Sequence, residues 1–132
     1  MKTNLPGWSR WLAFAAGAMD AATGAGLLVL PAWTLRQMGV MPPGAEALEF
    51  VRFVGVFVGA VGLSYVVAGV RGEDRSLHAV FDFTRIFRGG AGAFTGVMVL
   101  AGDWSPAWLA VTVADLGLVV VQSLLLAKYG DE

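Results

Sequence analysis

The chain has 132 residues, of which 57% are hydrophobic and only 14% are charged, and its formal net charge is −1. A soluble domain carries charge on roughly a quarter of its residues, so this composition indicates a membrane protein. The near-zero net charge gives no basic field for nucleic acid, and we expect no nucleic-acid partner. The chain has no Cys and one His, which excludes disulfides and thiolate metal sites. We therefore expect no metal and no cofactor.

The first apolar run covers residues 11–30 and follows a short basic start. A signal peptide has the same order, but its apolar core is usually shorter than the ~20 residues of a span. Asp20, in the middle of the run, also disfavours an export signal, so we predict a retained helix that ends near Pro31. Small residues on one face predict tight helix packing. This face comprises Ala13, Ala16, Gly17, Asp20, Thr23, Gly24 and Leu27.

A polar connection over residues 37–48 contains the breaker Met41-Pro42-Pro43-Gly44 and precedes a second span at residues 50–69. The segment Glu46–Glu49 can add a helical turn before that span. The second span places Arg52, Gly55, Gly59 and Gly62 on one face. A shift of thirty-three positions aligns Arg52 with Arg85 and Gly59 with Gly92. Either an internal repeat of helical hairpins or a shared packing rule explains this match.

The third span, residues 81–101, follows a charged loop at residues 71–78. Helical spacing places five charged or glycine residues of this span on a single face, and this face must contact other helices rather than lipid. These are Asp82, Arg85, Gly89, Gly92 and Gly96, and we expect Gly55, Gly59 and Gly92 to make close helix contacts. We interpret His78 as a solvated loop residue, although its chemistry also suits proton transfer.

The last span, residues 107–127, carries Asp115 and Gln122 on one face. The fold class is therefore all-α: a polytopic, single-domain (residues 1–132), up-down bundle of four transmembrane helices. Basic residues are more frequent on the side of the two ends, so both termini should be cytoplasmic. The Trp residues near the span ends predict an interfacial belt. They are Trp8, Trp11, Trp33, Trp104 and Trp108.

Charged residues within the spans are the main functional signal, because each Asp or Arg near mid-bilayer costs roughly 2.5–3.5 kcal/mol. Arg88 should pair with Asp20 or Asp115, Asp82 with Arg85, and Arg52 lies one turn after Glu49. The charges either neutralise one another and fix the helix register, or they line a polar cavity. The ligand-binding or proton-linked candidates are Arg88, Asp20, Asp115, Arg85, Arg52, Asp82, Tyr65 and Gln122.

The four-span layout resembles small DoxX-like bacterial membrane proteins. The resemblance is carried by the Arg-x-x-Gly of Arg52 to Gly55, by Arg85, and by Thr23-Gly24 through Pro31. It implies a four-helix integral membrane protein, in some cases attached to respiratory or quinone-linked complexes, and it transfers no catalytic residues. Small multidrug-resistance transporters also have four spans and an acidic residue in the first, but theirs is a Glu in an aromatic neighbourhood. Asp20 lies among alanines and departs from that pattern.

Three functional classes follow. The first is a non-catalytic membrane-complex subunit or a binder of a small amphiphilic ligand, a quinone or a lipid. The second is a proton-coupled transporter that acts as an oligomer, and the third is a membrane-embedded hydrolase or isomerase of a lipophilic substrate. We rank the first class highest and do not expect an enzyme. The expected location is the bacterial cytoplasmic (inner) membrane, with the lipid bilayer, a small amphiphile, and a homo-oligomer or larger complex as partners.

Overall fold

The computed structural model describes residues 4–130, and the protein is helical throughout this part of the chain. Four long helices account for most of it: α1 (Trp8–Val29), α3 (Ala45–Arg71), α4 (Asp74–Leu100) and α5 (Leu109–Tyr129). A short helix, α2 (Pro31–Gln37), follows α1, and a 3-10 turn (Pro106–Trp108) leads into α5. No strand occurs within residues 4–130. The all-α prediction is confirmed.

Three segments are long and apolar enough to cross a membrane. They are Trp8–Val29, Ala45–Arg71 and Pro106–Tyr129, and they identify a multi-pass membrane protein. The segment of α4 is as long as that of α3, but it carries Asp82, Arg85 and Arg88 within its apolar part. These charges lower its hydropathy and set it apart from the other three.

Two predicted connections are helical in the structure. Residues 71–78 were expected to form a charged loop, but α3 continues to Arg71 and α4 begins at Asp74. The physical reason is local: Gly72 takes a left-handed φ of 66° that ends α3, and Asp74 places a negative charge in the first turn of α4. His78 is therefore a half-buried residue of α4 rather than a loop residue. The extra turn predicted at Glu46–Glu49 is confirmed, since α3 begins at Ala45.

The described residues form two compact units, one comprising Trp8–Glu73 and the other residues 4–7 with 74–130. In the first unit, α1 and α3 form an antiparallel hairpin through a glycine seam made of Gly17, Gly24, Gly55, Gly59 and Gly62. A methyl group on Gly24 would lie 2.5 Å from the Cα of Gly59 and 2.7 Å from the carbonyl oxygen of Gly55. A methyl group on Gly62 would lie 2.7 Å from the carbonyl oxygen of Gly17. The two backbones are in contact because neither helix has a side chain there.

Two arginines close the ends of this hairpin. Arg10, in the first turn of α1, donates from Nε to the carbonyl oxygen of Gly69 at 2.7 Å, near the end of α3. Arg52, near the start of α3, donates from Nη1 to the carbonyl oxygen of Leu28 at 2.6 Å, near the end of α1. The last carbonyls of a helix lack intrahelical donors and carry partial negative charge, so a guanidinium is a favourable partner. Each helix thus caps the C-terminal end of the other.

Helix α2 was not predicted. The sequence correctly indicated that Pro31 would interrupt the first helix, but the chain resumes helical geometry at once, with Pro31 in its first turn. Pro is favourable there because the first N–H groups of a helix have no intrahelical acceptor. Thr34 fits against Gly26, where a methyl group would lie 2.7 Å from the Thr34 hydroxyl oxygen. Gly26 therefore serves the turn into α2 and not the α1–α3 contact.

The second unit is an antiparallel hairpin of α4 and α5. The connecting turn is closed by aromatic side chains: Trp104 lies edge-on to Phe94 at 5.3 Å and tilted against Trp108 at 4.8 Å, between ring centroids. Both indoles are half-buried.

At the start of the unit, the backbone N–H of Leu5 donates to Asp74 at 3.2 Å.

The glycine seam yields a stability prediction. We expect Gly24→Ala to lower the free energy of unfolding by about 1–3 kcal/mol, because its methyl group meets backbone that cannot move aside. Gly59→Ala is the matched control: its nearest neighbour would be the Cα of Gly24 at 3.8 Å, an ordinary contact. The control should be neutral or slightly stabilising, since Ala favours a helix. Thermal unfolding in detergent micelles, followed by circular dichroism, measures both. Equal stability of the two variants would contradict direct backbone contact at Gly24.

Candidate functional site

A row of polar contacts joins α4 to α5, and we call it the polar seam. From the Trp104 end of the hairpin to the His78 end, Thr95 contacts Thr112 and Arg88 contacts Asp115. The adjacent residues Thr84 and Arg85 then contact Gln122 and Ser123, respectively. From Thr95 to Thr84 the residue numbers fall along α4 as they rise along α5, as an antiparallel pair requires. Polar groups in an apolar surrounding are costly unless paired, so these contacts fix how α4 and α5 align.

The Arg88–Asp115 ion pair lies at the centre of the polar seam. Arg88 Nη1 lies 2.7 Å from Asp115 Oδ1, and the two side chains are only 4% and 15% exposed. Gly92, one turn after Arg88, makes room for this approach, because a methyl group there would meet Leu116 at 2.9 Å and the Cβ of Asp115 at 3.3 Å. The predicted pair of Arg88 with Asp115 is therefore present. Asp20 lies in the middle of α1.

Gln122, another candidate, lies near the His78 end. Gln122 is fully buried and its amide donates to the Thr84 hydroxyl at 3.4 Å. The Thr84 hydroxyl donates in turn to the carbonyl oxygen of Val80, at 2.5 Å, within its own helix. The prediction that Asp115 and Gln122 share a face is confirmed, because both contact α4.

The predicted pair of Asp82 and Arg85 is also present, at 2.6 Å between Oδ1 and Nη2. Arg85 Nη1 lies 3.5 Å from the hydroxyl oxygen of Ser123 on α5. Both members of the pair are partly exposed, with side-chain exposures of 51% for Asp82 and 37% for Arg85. A surface pair of this kind contributes little stability, about 0–1 kcal/mol, so its charges remain open to a ligand.

The predicted face of α4 is only partly the one that meets α5. Gly92 lies against Leu116 and Asp115, and Gly96 lies against Thr112, as predicted. Earlier in the helix the buried residues are Phe81, Thr84 and Arg88, each one position before the predicted Asp82, Arg85 and Gly89. Gly89 has nothing within 4 Å of the position that a Cβ would take. The error has a physical cause: Arg88 and the two threonines can all be satisfied by α5, so the polar stripe that includes them is the buried one.

A groove of about 380 Å³ opens at the His78 end of the polar seam. Its walls are His78, Ala79 and Asp82 from α4, and Leu126 and Gly130 from the end of α5. It thus combines an imidazole and a carboxylate with apolar surface. The sequence showed both His78 and Asp82, but it did not indicate that they share a groove. That relation depends on where α5 ends.

The remaining candidates lie in the α1–α3 unit. Arg52 caps the end of α1 and also pairs with Glu49 at 3.5 Å, as its position one turn later suggested. Tyr65 is fully buried on α3. Sequence reasoning missed Thr84 and Ser123, which make contacts in the polar seam. Their spacing from Arg88 and from Asp115 and Gln122 was visible, but hydroxyl groups so often bond to their own helix that nothing distinguished them.

No protein-family model, no curated protein and no solved structure matches the chain. The chemistry of the polar seam and its groove is therefore the basis for a functional conclusion. Arg88 and Asp115 form a buried ion pair, which suits a structural role. We call this pair the lock, because it fixes how α4 and α5 align. The open groove with its partly exposed charges suits a ligand.

The lock yields a second prediction. Arg88→Met or Asp115→Leu alone should cost about 3–5 kcal/mol of stability, because each removes one side of a buried ion pair. The double variant should recover most of this loss, since an apolar pair can replace a buried ion pair at little cost. A double-mutant cycle of unfolding in detergent measures the coupling. Arg85→Met is the control and should cost less than about 1 kcal/mol, because its pair is partly exposed. Additive losses from Arg88→Met and Asp115→Leu would rule out the lock.

Proposed function

We propose that the chain is a four-span, non-catalytic protein of the bacterial cytoplasmic (inner) membrane that binds one small amphiphile, a lipid or a quinone, in the groove between α4 and α5. The observation that carries the proposal is the groove itself. It has a polar wall with His78 and Asp82 and an apolar wall with Leu126, and it opens where the α4–α5 hairpin ends. An amphiphile has the same division between a polar head and an apolar tail.

The four-span count is supported by the way α4 packs on α5. The segment Pro106–Tyr129 is long and apolar enough to cross a bilayer, and α4 lies antiparallel beside it from the Thr95–Thr112 contact to the Arg85–Ser123 contact. These contacts cover about 16 Å of α5 at ~1.5 Å per residue, and α4, with its 27 residues, is long enough to cross the bilayer beside it. Its charges are tolerable there because Arg88 is paired with Asp115. With α1 and α3 the spans number four, so both ends lie on one side, and the basic-residue bias makes that side cytoplasmic.

The depth of the groove suits a polar head. If Trp108 marks one interface, Asp115 lies about 10 Å and Ser123 about 22 Å along α5, at ~1.5 Å per residue. The hydrocarbon core is about 30 Å thick, so Ser123 and Arg85 approach the opposite interface. The groove, one turn further, lies at the level of lipid headgroups. Exposed apolar side chains on α4 and α5, such as Phe83 and Leu124, offer surface for a tail.

The resemblance to DoxX-like proteins agrees with this proposal, since some of those proteins attach to quinone-linked complexes. In such a complex a bound lipid or quinone would lie at the contact between subunits. The proposal does not require that setting, because the groove is formed within one hairpin.

The topology gives a third prediction. A single Cys at Gly44, in this Cys-free chain, should react with a membrane-impermeant maleimide from outside sealed cells. A Cys at Glu73, an exposed residue of the α3–α4 connection on the other side, should react only after the membrane is opened. Both positions lie outside the helices. Labelling of Gly44→Cys only from the cytoplasmic side would refute the orientation.

The binding site gives a fourth prediction. The purified protein should retain one amphiphile in native mass spectrometry after titration with a mixture of polar lipids or with a short-chain benzoquinone. Ala79→Trp should abolish this binding, because the indole fills the groove. Ala93→Trp, an exposed position of α4 outside the groove walls, is the matched control and should bind as the unmodified protein does. If Ala79→Trp still binds normally, the groove is not the site.

A further inference from the structure

We infer, on the basis of the proposed function, that the ligand of the groove has a primary ammonium group beside a phosphate, as in an aminophospholipid of the phosphoethanolamine type. The groove carries negative charge on one side and positive charge on its flank. Asp82 lines it, and Arg85 lies beside Asp82 at 2.6 Å. A zwitterionic head can match both charges, whereas an anionic or a neutral head matches at most one.

The negative side has two sources. The first is the Asp82 carboxylate: its Oδ1 accepts from Arg85, and its Oδ2 receives no hydrogen bond from any residue of the described chain. The second is the C-terminal end of α5, where Gly130 lines the groove and its N–H closes the last bond, to Leu126. The final carbonyls of α5 have no further intrahelical donors and carry partial negative charge. A cation bound there satisfies both.

The two nearest basic side chains, Arg85 and Lys128, leave the negative side of the groove accessible to a ligand cation. The Arg85 guanidinium is occupied by Asp82 Oδ1 and Ser123, and its partly exposed edge can receive a phosphate oxygen. The ammonium of Lys128, on the last turn of α5, lies 5.3 Å from the ring centroid of Tyr129. His78, the third polar wall, can accept one N–H with a ring nitrogen. An ammonium with three N–H donors therefore finds a carboxylate, helix-end carbonyls and an imidazole in one groove.

The charge and the hydrogen-bond donors of the head distinguish a primary-ammonium lipid from other lipids and from quinones. A choline head has the same charge but no N–H donor, a glycerol head has hydroxyl donors without positive charge, and a quinone head has only acceptors. A charge-assisted hydrogen bond to Asp82 should favour the primary ammonium over choline by about tenfold in affinity. The preference is thus a property of the headgroup when the acyl chains are identical.

The test compares lipids that differ only in their heads. Purified protein in detergent is titrated with phosphatidylethanolamine, phosphatidylcholine and phosphatidylglycerol of identical chains, and with a short-chain benzoquinone, and the bound fraction is read by native mass spectrometry. Phosphatidylethanolamine should bind about tenfold more tightly than phosphatidylcholine. Asp82→Asn should reduce this ratio to within about twofold, because the neutral amide loses the charge-assisted bond. Asp103→Asn, an exposed turn position at the other end of the hairpin, should leave the ratio unchanged.

Each outcome decides between the two proposals. Saturable binding of phosphatidylglycerol, phosphatidylcholine or quinone without a preference for phosphatidylethanolamine would overturn the ammonium assignment and leave the amphiphile site standing. A preference that survives Asp82→Asn would also overturn it, since the recognition would then lie elsewhere. Binding of none of the four compounds would overturn both the assignment and the proposed function. The predicted preference, lost with Asp82→Asn and kept with Asp103→Asn, supports both.

Discussion

The ion pair of Arg88 and Asp115 is the constraint on which the α4–α5 hairpin depends. Either charge alone in a bilayer costs roughly 2.5–3.5 kcal/mol on insertion scales, so the pairing of Arg88 with Asp115 lowers the cost of burying both. The pair has a single register, because Gly92 must lie against Leu116 and Asp115 for the guanidinium to reach the carboxylate. Once that register is fixed, Thr95 meets Thr112 on one side and Thr84 meets Gln122 on the other.

The α1–α3 hairpin solves the same problem by different means. Its centre holds backbone against backbone at Gly24 and Gly55, so van der Waals contact and not charge provides the attraction. Two of its charged residues, Arg10 and Arg52, lie at the ends and satisfy helix-end carbonyls. This difference argues against the hairpin repeat that the sequence suggested. The thirty-three-residue shift aligns Arg52 with Arg85, but Arg52 is on α3, the second long helix of its hairpin, and Arg85 is on α4, the first helix of the other. The two arginines also have different partners.

Sequence patterns were sufficient for features that depend on one helix at a time. The small residues of the predicted α1 face, among them Ala13, Gly17 and Gly24, are buried as expected, and the i,i+3 pair of Asp82 and Arg85 forms as spacing predicts. Features that depend on two helices could be predicted only in part. In the first half of α4 the buried face was predicted one position out of register, because Asp82 and Arg85 form a charged stripe as regular as the one that contains Arg88. Only the position of Asp115 on the neighbouring helix distinguishes them.

The groove at His78 follows from the same geometry. A polar seam between two helices must end where one helix ends, and α5 stops at Tyr129 while α4 extends on toward Asp74. Ala79 and Asp82 flank open space beside the last turn of α5. Deeper in the hairpin each polar group meets another across the interface, whereas at this end the matching groups are the helix-end carbonyls of α5. A head that carries N–H donors completes the seam, which is why the ligand is expected at this end of the hairpin and not beside Arg88.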